Sequence, residues 1–468
     1  MEKMKIAFIN APFVSKGLNS FLFNLSSAFP SDVMCSSTLS YLATMVKDDY
    51  EVRVFDANLD EKEVNKVDKF NPDVVVFITS VMMPSPAVLW VHRKAKELKK
   101  RFDCTIVYGG RILELLSKEA LTSSYADYVL RGEAEFSFKL LIDFLSGKRK
   151  KLPTEGLGLK KGRKIVLEKP AIIKDLDKLP IPDRSFFNLK KYSVVGVETS
   201  RGCIHNCDFC YQSYLKAPWR FRSFESLRKE IDYLFSNFEM GRKRLFLVDN
   251  NFLLFPQRMR KFGKYLIERG YKIKWFGMTE ISACEEETLK ILQRSGCIDI
   301  LIGVESGSPS IQKKYRKIFS RNIVSIVSRV NKCKINPTVS LLICSPKESK
   351  VDLYYTLKLA SQIEKECKVR TSLGTRVRFE PHLFEPLPGT AFYNQIVKEG
   401  LFKPPSTFEE FGKFLNDLSR FKTNAISQIL RMTRDIDMND LKKLLFYFSY
   451  LNSKSYILPR TESILFGG

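Results

Sequence analysis

Asp73–Ser80 reads DVVVFITS, an apolar and largely β-branched run with no polar alternation. A strand of that kind stays dry only if both faces of its sheet are covered, as in a parallel sheet with helices on either side. KIAFINAP (Lys5–Pro12), EVRVFDAN, TIVYGG and YVLRG are further strand patterns. Helical periods separate them: Ser36–Asp49, the charged EKEVNKVDKF, PAVLWVHRKAKELKKRF with Pro86 suited to a first turn, and AEFSFKLLIDFLSG. Strands alternating with helices of this length predict a doubly wound parallel sheet over residues 1–150. Ligands of such sheets bind beyond the carboxyl ends of the strands. Those ends are Asn10-Ala11-Pro12, Thr79-Ser80, Gly109-Gly110 and Arg131-Gly132-Glu133. Small and polar residues there suit close approach of a ligand, and they suit ordinary tight turns as well.

Residues 151–193 contain KLPIPDR, with prolines too close for regular structure, and are read as a linker. A second α/β series follows over residues 194–395. Its strands are VVGVETS, RLFLVDN, KIKWFGMT, IDILIGVES, TVSLLICS and RVRFEPHLFEP, with amphipathic helices between them. Six such units predict a partial (β/α)6 barrel, short of a closed eight. Residues 396–468 carry no strand series and are expected to form a helical C-terminal segment, a cap that selects the substrate.

The start, MEKMKIAFINAPF, reads as a strand rather than a secretory leader, and no run of about 18 apolar residues suggests a membrane span. A cytoplasmic protein is expected, with contact at a membrane surface as an option. The net charge of +25 would attract nucleic acid, anionic lipid or an acidic substrate, and it equally describes a lysine-rich solubilising surface. The 36 phenylalanines fit a generous apolar interior or a greasy cavity.

Ten cysteines are present, and seven are scattered singly, as small buried hydrophobes usually are. The other three stand together in TSRGCIHNCDFC, as Cys203, Cys207 and Cys210. Structural zinc wants four ligands, usually from two knuckles, and no second knuckle exists. A disulfide would use only two of the three thiols. The loop is too polar for chance clustering in a core. An iron–sulfur cube held by three thiolates leaves one iron open, which is where chemistry can occur.

The C-x3-C-x2-C spacing directly after the first strand of the second series resembles the radical S-adenosylmethionine (SAM) superfamily. The resemblance implies a [4Fe–4S] cluster on Cys203, Cys207 and Cys210, with SAM chelating the open iron and one electron cleaving it to a 5′-deoxyadenosyl radical. It further implies SAM contacts from Phe209, before the last cysteine; from Asp249 and Asn250 in LVDNNF; and from Gly303, Glu305 and Ser306 in LIGVESGS. PLPGTAFYNQIVKEGLF resembles the usual end of the barrel.

A doubly wound domain, a linker and then this motif is the layout of the cobalamin-binding radical SAM enzymes. That likeness implies a Rossmann-like cobalamin domain over 1–150, with Thr79, Ser80, Gly109, Gly110, Arg131, Gly132 and Glu133 as contacts. The family usually continues its glycine pair with proline and histidine, where this chain has Arg111 and Ile112. The D-x-H-x-x-G motif that supplies a histidine to cobalt is missing. His92, His205 and His382 are read as packing or surface residues rather than ligands. The family's glycine-rich turn after the fifth barrel strand is replaced by Cys344-Ser345-Pro346-Lys347.

The reading that follows is a cobalamin-dependent radical SAM enzyme, a C-methyltransferase or a related cyclising or coupling enzyme. Its substrate would be a small molecule, lipid or peptide, and its electron donor a flavodoxin or ferredoxin. A cobalamin-free enzyme modifying RNA is the first alternative, with nucleic acid the less favoured partner. A non-enzymatic iron–sulfur scaffold is the second.

Overall fold

The computed structural model describes residues 3–12, 33–79, 87–281, 284–316 and 322–452. Ser80 and Pro86, both singled out above, lie outside them, as do residues 453–468 of the expected C-terminal segment. The chain divides into two compact units, Met1–Asn19 with Val33–Tyr192 and Lys403–Lys422, and Ser20–Asp32 with Ser193–Phe402 and Thr423–Gly468.

In the first unit the strands are β1 (Lys5–Asn10), a two-residue β2 (Met34–Cys35), β3 (Glu51–Asp56), β4 (Val74–Ile78), β5 (Thr105–Gly109) and β6 (Tyr128–Leu130). β7 (Leu157–Lys161) and β8 (Lys164–Leu167) follow. The sheet runs β3-β1-β4-β5-β6-β7-β8, parallel through β6. Every residue of β4 is buried, as its unbroken apolar sequence requires. The helix Ser37–Val46 starts where the Ser36 side chain accepts from the Leu39 amide at 3.2 Å.

The stretch read as a linker belongs to this unit. β7 and β8 form an antiparallel hairpin that extends the sheet beyond β6. The proline-rich part beyond it lacks regular structure, as expected, but it packs Ile173, Leu176 and Leu179 against Tyr41. Arg184, from KLPIPDR, is fully buried and donates to the Ser40 hydroxyl at 2.8 Å and the Ser36 carbonyl at 3.3 Å.

The second unit contains β9 (Val194–Val197), the short antiparallel pair β10 (Ser200–Arg201) and β11 (Arg220–Phe221), then β12 (Arg244–Leu247) and β13 (Lys274–Glu280). β14 (Cys297–Glu305), β15 (Asn336–Ile343) and β16 (Arg378–Leu383) complete it. β9, β12, β13, β14, β15 and β16 lie side by side in chain order, all parallel, as the staves of a partial barrel.

The C-terminal segment is not a separate cap, because it supplies core to each unit. In the first, the helix Phe408–Ser419 lies on the helix Ala87–Arg101 so closely that a Cβ on Gly412 would fall 2.9 Å from the Leu89 backbone. In the second, the helix Met438–Asn452 packs on β16, where Asn452 bonds the Phe379 amide and carbonyl and Phe448 meets the Phe379 ring. No helix among the described residues is long and apolar enough to cross a membrane.

Candidate active site

β9 delivers the chain into the cysteine loop. Gly202 has φ of +81°, and a Cβ there would sit 2.0 Å from the Pro218 carbonyl oxygen, so only glycine lets β10 approach β11 this closely. Cys203 and Cys210 are half-buried, and Cys207 is buried. The Cys210 amide donates to the Cys207 carbonyl at 2.9 Å, and the His205 amide points to the Cys203 sulfur at 3.4 Å. From the far end of the barrel, Phe392 donates its amide to the Asp208 carbonyl, and Gly389 packs under the Tyr214 ring. The Pro388-Gly389-Thr390 turn is therefore a brace for this loop.

Among the described residues, no three His, Cys, Asp or Glu side chains converge as a single ion would need. The structure brings the three thiols together on one loop, Cys203 and Cys210 half-buried and Cys207 buried.

Asp249 does something other than the sequence suggested. Its carboxylate is fully buried and accepts from the Thr199 amide at 2.7 Å, the Ser200 hydroxyl at 2.8 Å, the Ser200 amide at 3.1 Å and the Thr199 hydroxyl. Burial lifts its pKa above the usual carboxylate value against these donors. It is an anchor for the entrance to the cysteine loop. Asn250 helps, donating to the Gly202 carbonyl at 3.0 Å.

Phe209 stands edge-on to Tyr315, with ring centroids 5.0 Å apart. Gly303 and Glu305 lie at the carboxyl end of β14, where the pairing with β15 slips by a residue and Glu305 takes φ of +67°. A non-glycine residue held there marks a deliberate re-aiming of the strand end. Ser306 is buried, its hydroxyl taken by Thr356 and the Ser308 amide, so it shapes the turn. Cys344 and Lys347 adopt φ of +58° and +62°, the left-handed conformation a glycine-rich turn would use. Bonds from the Lys347 amide to Met432 and the Ser345 amide to Glu348 hold that turn without glycine.

Strand alternation defines an inner face that sequence alone left ambiguous. On β16, Phe379 faces the outer helix, so Arg378, Glu380 and His382 face inward. On β13, Trp275 packs against Phe262 outside, which turns Phe276 and Met278 inward. Leu245 and Leu247 of β12 are fully buried while Phe246 between them is half-buried, and it stacks on Phe276 at 4.9 Å. Inward residues that are only half-buried line space the chain does not fill. One wall is aromatic and the other polar, with the His382 imidazole 3.8 Å from the Glu380 carboxylate.

Burial and Asp299 together push the Glu380 carboxyl up to about 8, against Arg378. A carboxyl whose folded pKa exceeds its unfolded value of 4.5 binds the extra proton in the folded state, so its contribution weakens as pH rises between the two. Glu380→Gln should therefore gain in melting temperature relative to wild type from about pH 5 to about pH 8 and level off above. A difference independent of pH would show Glu380 ionised throughout.

The candidate cobalamin contacts separate into two groups. At the ends of β4 and β5, Thr79 is buried with its hydroxyl unpartnered among the described residues, and Gly110 has φ of +100° with no room for a Cβ beside the Thr79 carbonyl. Gly109 is less constrained, since a Cβ there would press mainly on the tip of the Ile78 side chain, at 2.7 Å. A buried hydroxyl left over beside a glycine pair fits an incoming polar group. Arg131, Gly132 and Glu133 are committed elsewhere. The Arg131 guanidinium bonds the Glu168 carbonyl, Gly132 lies against Ala171, and Glu133 accepts from the Ile173 amide at 2.8 Å. They fasten the strap after β8. His92 packs against Tyr125 and Phe408 in the same unit.

Residues 197–360 match the model of the radical SAM superfamily. An uncharacterized methyltransferase of Pyrococcus horikoshii is 28% identical over 416 residues, covering 84% of this chain and 85% of that protein. The structure of the radical S-adenosylmethionine methyltransferase TsrM from Kitasatospora setae, with cobalamin and a [4Fe–4S] cluster bound, superposes with a TM-score of 0.69 at 14% identity over 99% of both chains. That of the cobalamin-dependent S-adenosylmethionine radical enzyme OxsB, with aqua-cobalamin and SAM bound, gives 0.68 at 16% identity over 96% of this chain and 71% of that one.

Proposed function

We infer that this chain, which carries a radical SAM domain at residues 197–360 in the fold of the cobalamin-dependent radical SAM enzymes, is a radical SAM C-methyltransferase. The observation that carries the reading is the set of three thiols without a fourth, on one accessible loop at the first strand of a partial barrel. When bound, the cluster, SAM and cobalamin would together supply a one-electron reductant, a hydrogen-abstracting radical and a methyl group.

The chain's own part is holding and exclusion. Cys203, Cys207 and Cys210 would each ligate an iron. Phe209, Asn250, Gly303 and Glu305, around the strand ends, are the positions left for SAM once Asp249 and Ser306 are assigned to the scaffold. Thr79, Gly109 and Gly110 would receive cobalamin. The aromatic wall of Phe246 and Phe276 would keep water from the reacting carbon, and Arg378, Glu380 and His382 would orient a small-molecule or peptide substrate. The RNA-modifying and scaffold alternatives draw no support from these similarities.

The test is product analysis on anaerobically reconstituted enzyme given SAM, hydroxocobalamin and titanium(III) citrate, a reductant strong enough to make a methyl-accepting cobalamin. Formation of 5′-deoxyadenosine and S-adenosylhomocysteine is expected. A chain that holds its cluster yet makes neither product would overturn the reading.

A further inference from the structure

β8 is the last strand of the first unit's sheet, paired with β7 on one side and, among the described residues, with no strand on the other. The two-residue turn Gly162-Arg163 joins them and sets Lys161 opposite Lys164 and Lys160 opposite Ile165. Antiparallel ladders alternate, so every second residue of an edge strand turns its N–H and C=O away from its neighbour. The Glu168 amide donates to the Leu157 carbonyl at 2.9 Å, which places Glu168, Val166 and Lys164 on the bonded side. Ile165 and Leu167 therefore aim both backbone groups outward, and among the described residues these have no partner.

No residue of β8 is buried, and Leu167 is 41% exposed. An open edge of apolar sequence invites an added strand, and proteins usually blunt it with a charge, a proline or a bulge at the open groups. Ile165, Val166 and Leu167 carry none of these. The charge stands at one end instead.

Lys160, Lys161, Arg163 and Lys164 are all exposed, and among the described residues none makes an ion pair. No carboxylate occurs from Gly156 to Leu167. Lys161 and Lys164 face each other directly across the ladder, where like charges repel. A repulsion kept at the tip of a strand that is otherwise ready to pair points to counter-charge brought by whatever pairs there.

We propose that β8 accepts an extended acidic segment of a polypeptide as an added strand, its backbone bonded to Ile165 and Leu167 and its carboxylates beside the cations of the turn. The inference goes beyond the proposed reaction and does not depend on it. Backbone bonds supply the affinity and charge supplies the selection. The same cations turn away a second copy of this chain, whose net charge is +25. The hairpin from Gly156 to Leu167 has no aromatic side chain on which a nucleic-acid base could stack.

The test measures binding of two fluorescein-labelled heptapeptides, EEVTVEE and KKVTVKK, to the full chain by anisotropy. Wild type should bind the acidic peptide at least about tenfold more tightly than the basic one, and rising salt should weaken it. Ile165→Pro removes one outward N–H while leaving the ladder to β7 intact, and should weaken the acidic peptide about tenfold. The double variant Lys161→Glu with Lys164→Glu should do the same through charge. Hydrogen exchange over residues 163–168 should slow at the Ile165 and Leu167 amides when the acidic peptide is added. Should Ile165→Pro fail to fold, the charge variant and the exchange pattern decide. Unchanged exchange on adding the peptide would overturn the proposal, as would equal affinity for the two peptides or wild-type affinity in the folded variants. Protection of the same amides by rising protein concentration alone, with dimers in sedimentation, would overturn it in favour of a second copy. Binding of an oligouridylate without binding of the acidic peptide would overturn it in favour of nucleic acid.

Discussion

Cys207→Ala is expected to leave a folded chain that has lost its iron. The thiol is buried but small, so its removal costs the fold about 1 kcal/mol, comparable to other minor core truncations. Its loss to the cluster is of another order, because one of only three protein ligands disappears and an exposed iron invites loss of the whole cube. Iron should fall from about four per chain to below about one, and SAM-dependent product by about a thousandfold or more. Cys203→Ala and Cys210→Ala should behave alike. Cys333→Ala, half-buried on a helix end elsewhere, is the control and should keep its iron. Iron and sulfide analysis beside circular dichroism separates the outcomes. Full iron in any of the three variants would remove the basis of the site.

Asp249→Ala carries the largest expected cost to stability. Removing the carboxylate strands two backbone amides and two hydroxyls in a dry interior, and a broken buried network of this kind costs about 3–5 kcal/mol. Asp249→Asn should be milder, yet still costly, since its amide nitrogen would face donors. Iron uptake should fall in parallel, because the Thr199–Ser200 step leads straight into Gly202 and Cys203. Denaturant unfolding read together with iron content makes the check. A variant of unchanged stability with a raised KM for SAM would instead make Asp249 a ligand.

The strand order of the barrel could be read directly from the chain, since its staves from Val194 to Ile343 are largely apolar runs set off by amphipathic helices, and the more polar Arg378–Leu383 follows them in order. The cysteine loop was legible for the opposite reason: its sulfurs are local in sequence and their chemistry needs no register. What sequence hid were long-range commitments. Arg131 and Glu133 carry charge at a strand end, as ligand-binding residues do, and only the fold shows them fastened to Glu168 and Ile173. β7 and β8 are lysine-rich and weakly patterned, and the pairing of β7 with β6 comes from an edge that the sheet leaves open. Arg184 follows two prolines and reads as linker, although its burial against Ser36 and Ser40 is a tertiary fact. Glu380 and His382 needed the outward Phe379 to show which way they point. Cys344 and Lys347 show that a turn can keep its left-handed backbone after its glycines are gone.

The most direct measurement is bound iron and cobalt per chain after anaerobic reconstitution with iron, sulfide and cobalamin. About four irons and one cobalt are expected, since the three thiols and the Thr79–Gly110 strand ends are separate sites on one chain. A folded chain that takes up neither iron nor cobalt would contradict the account at its centre.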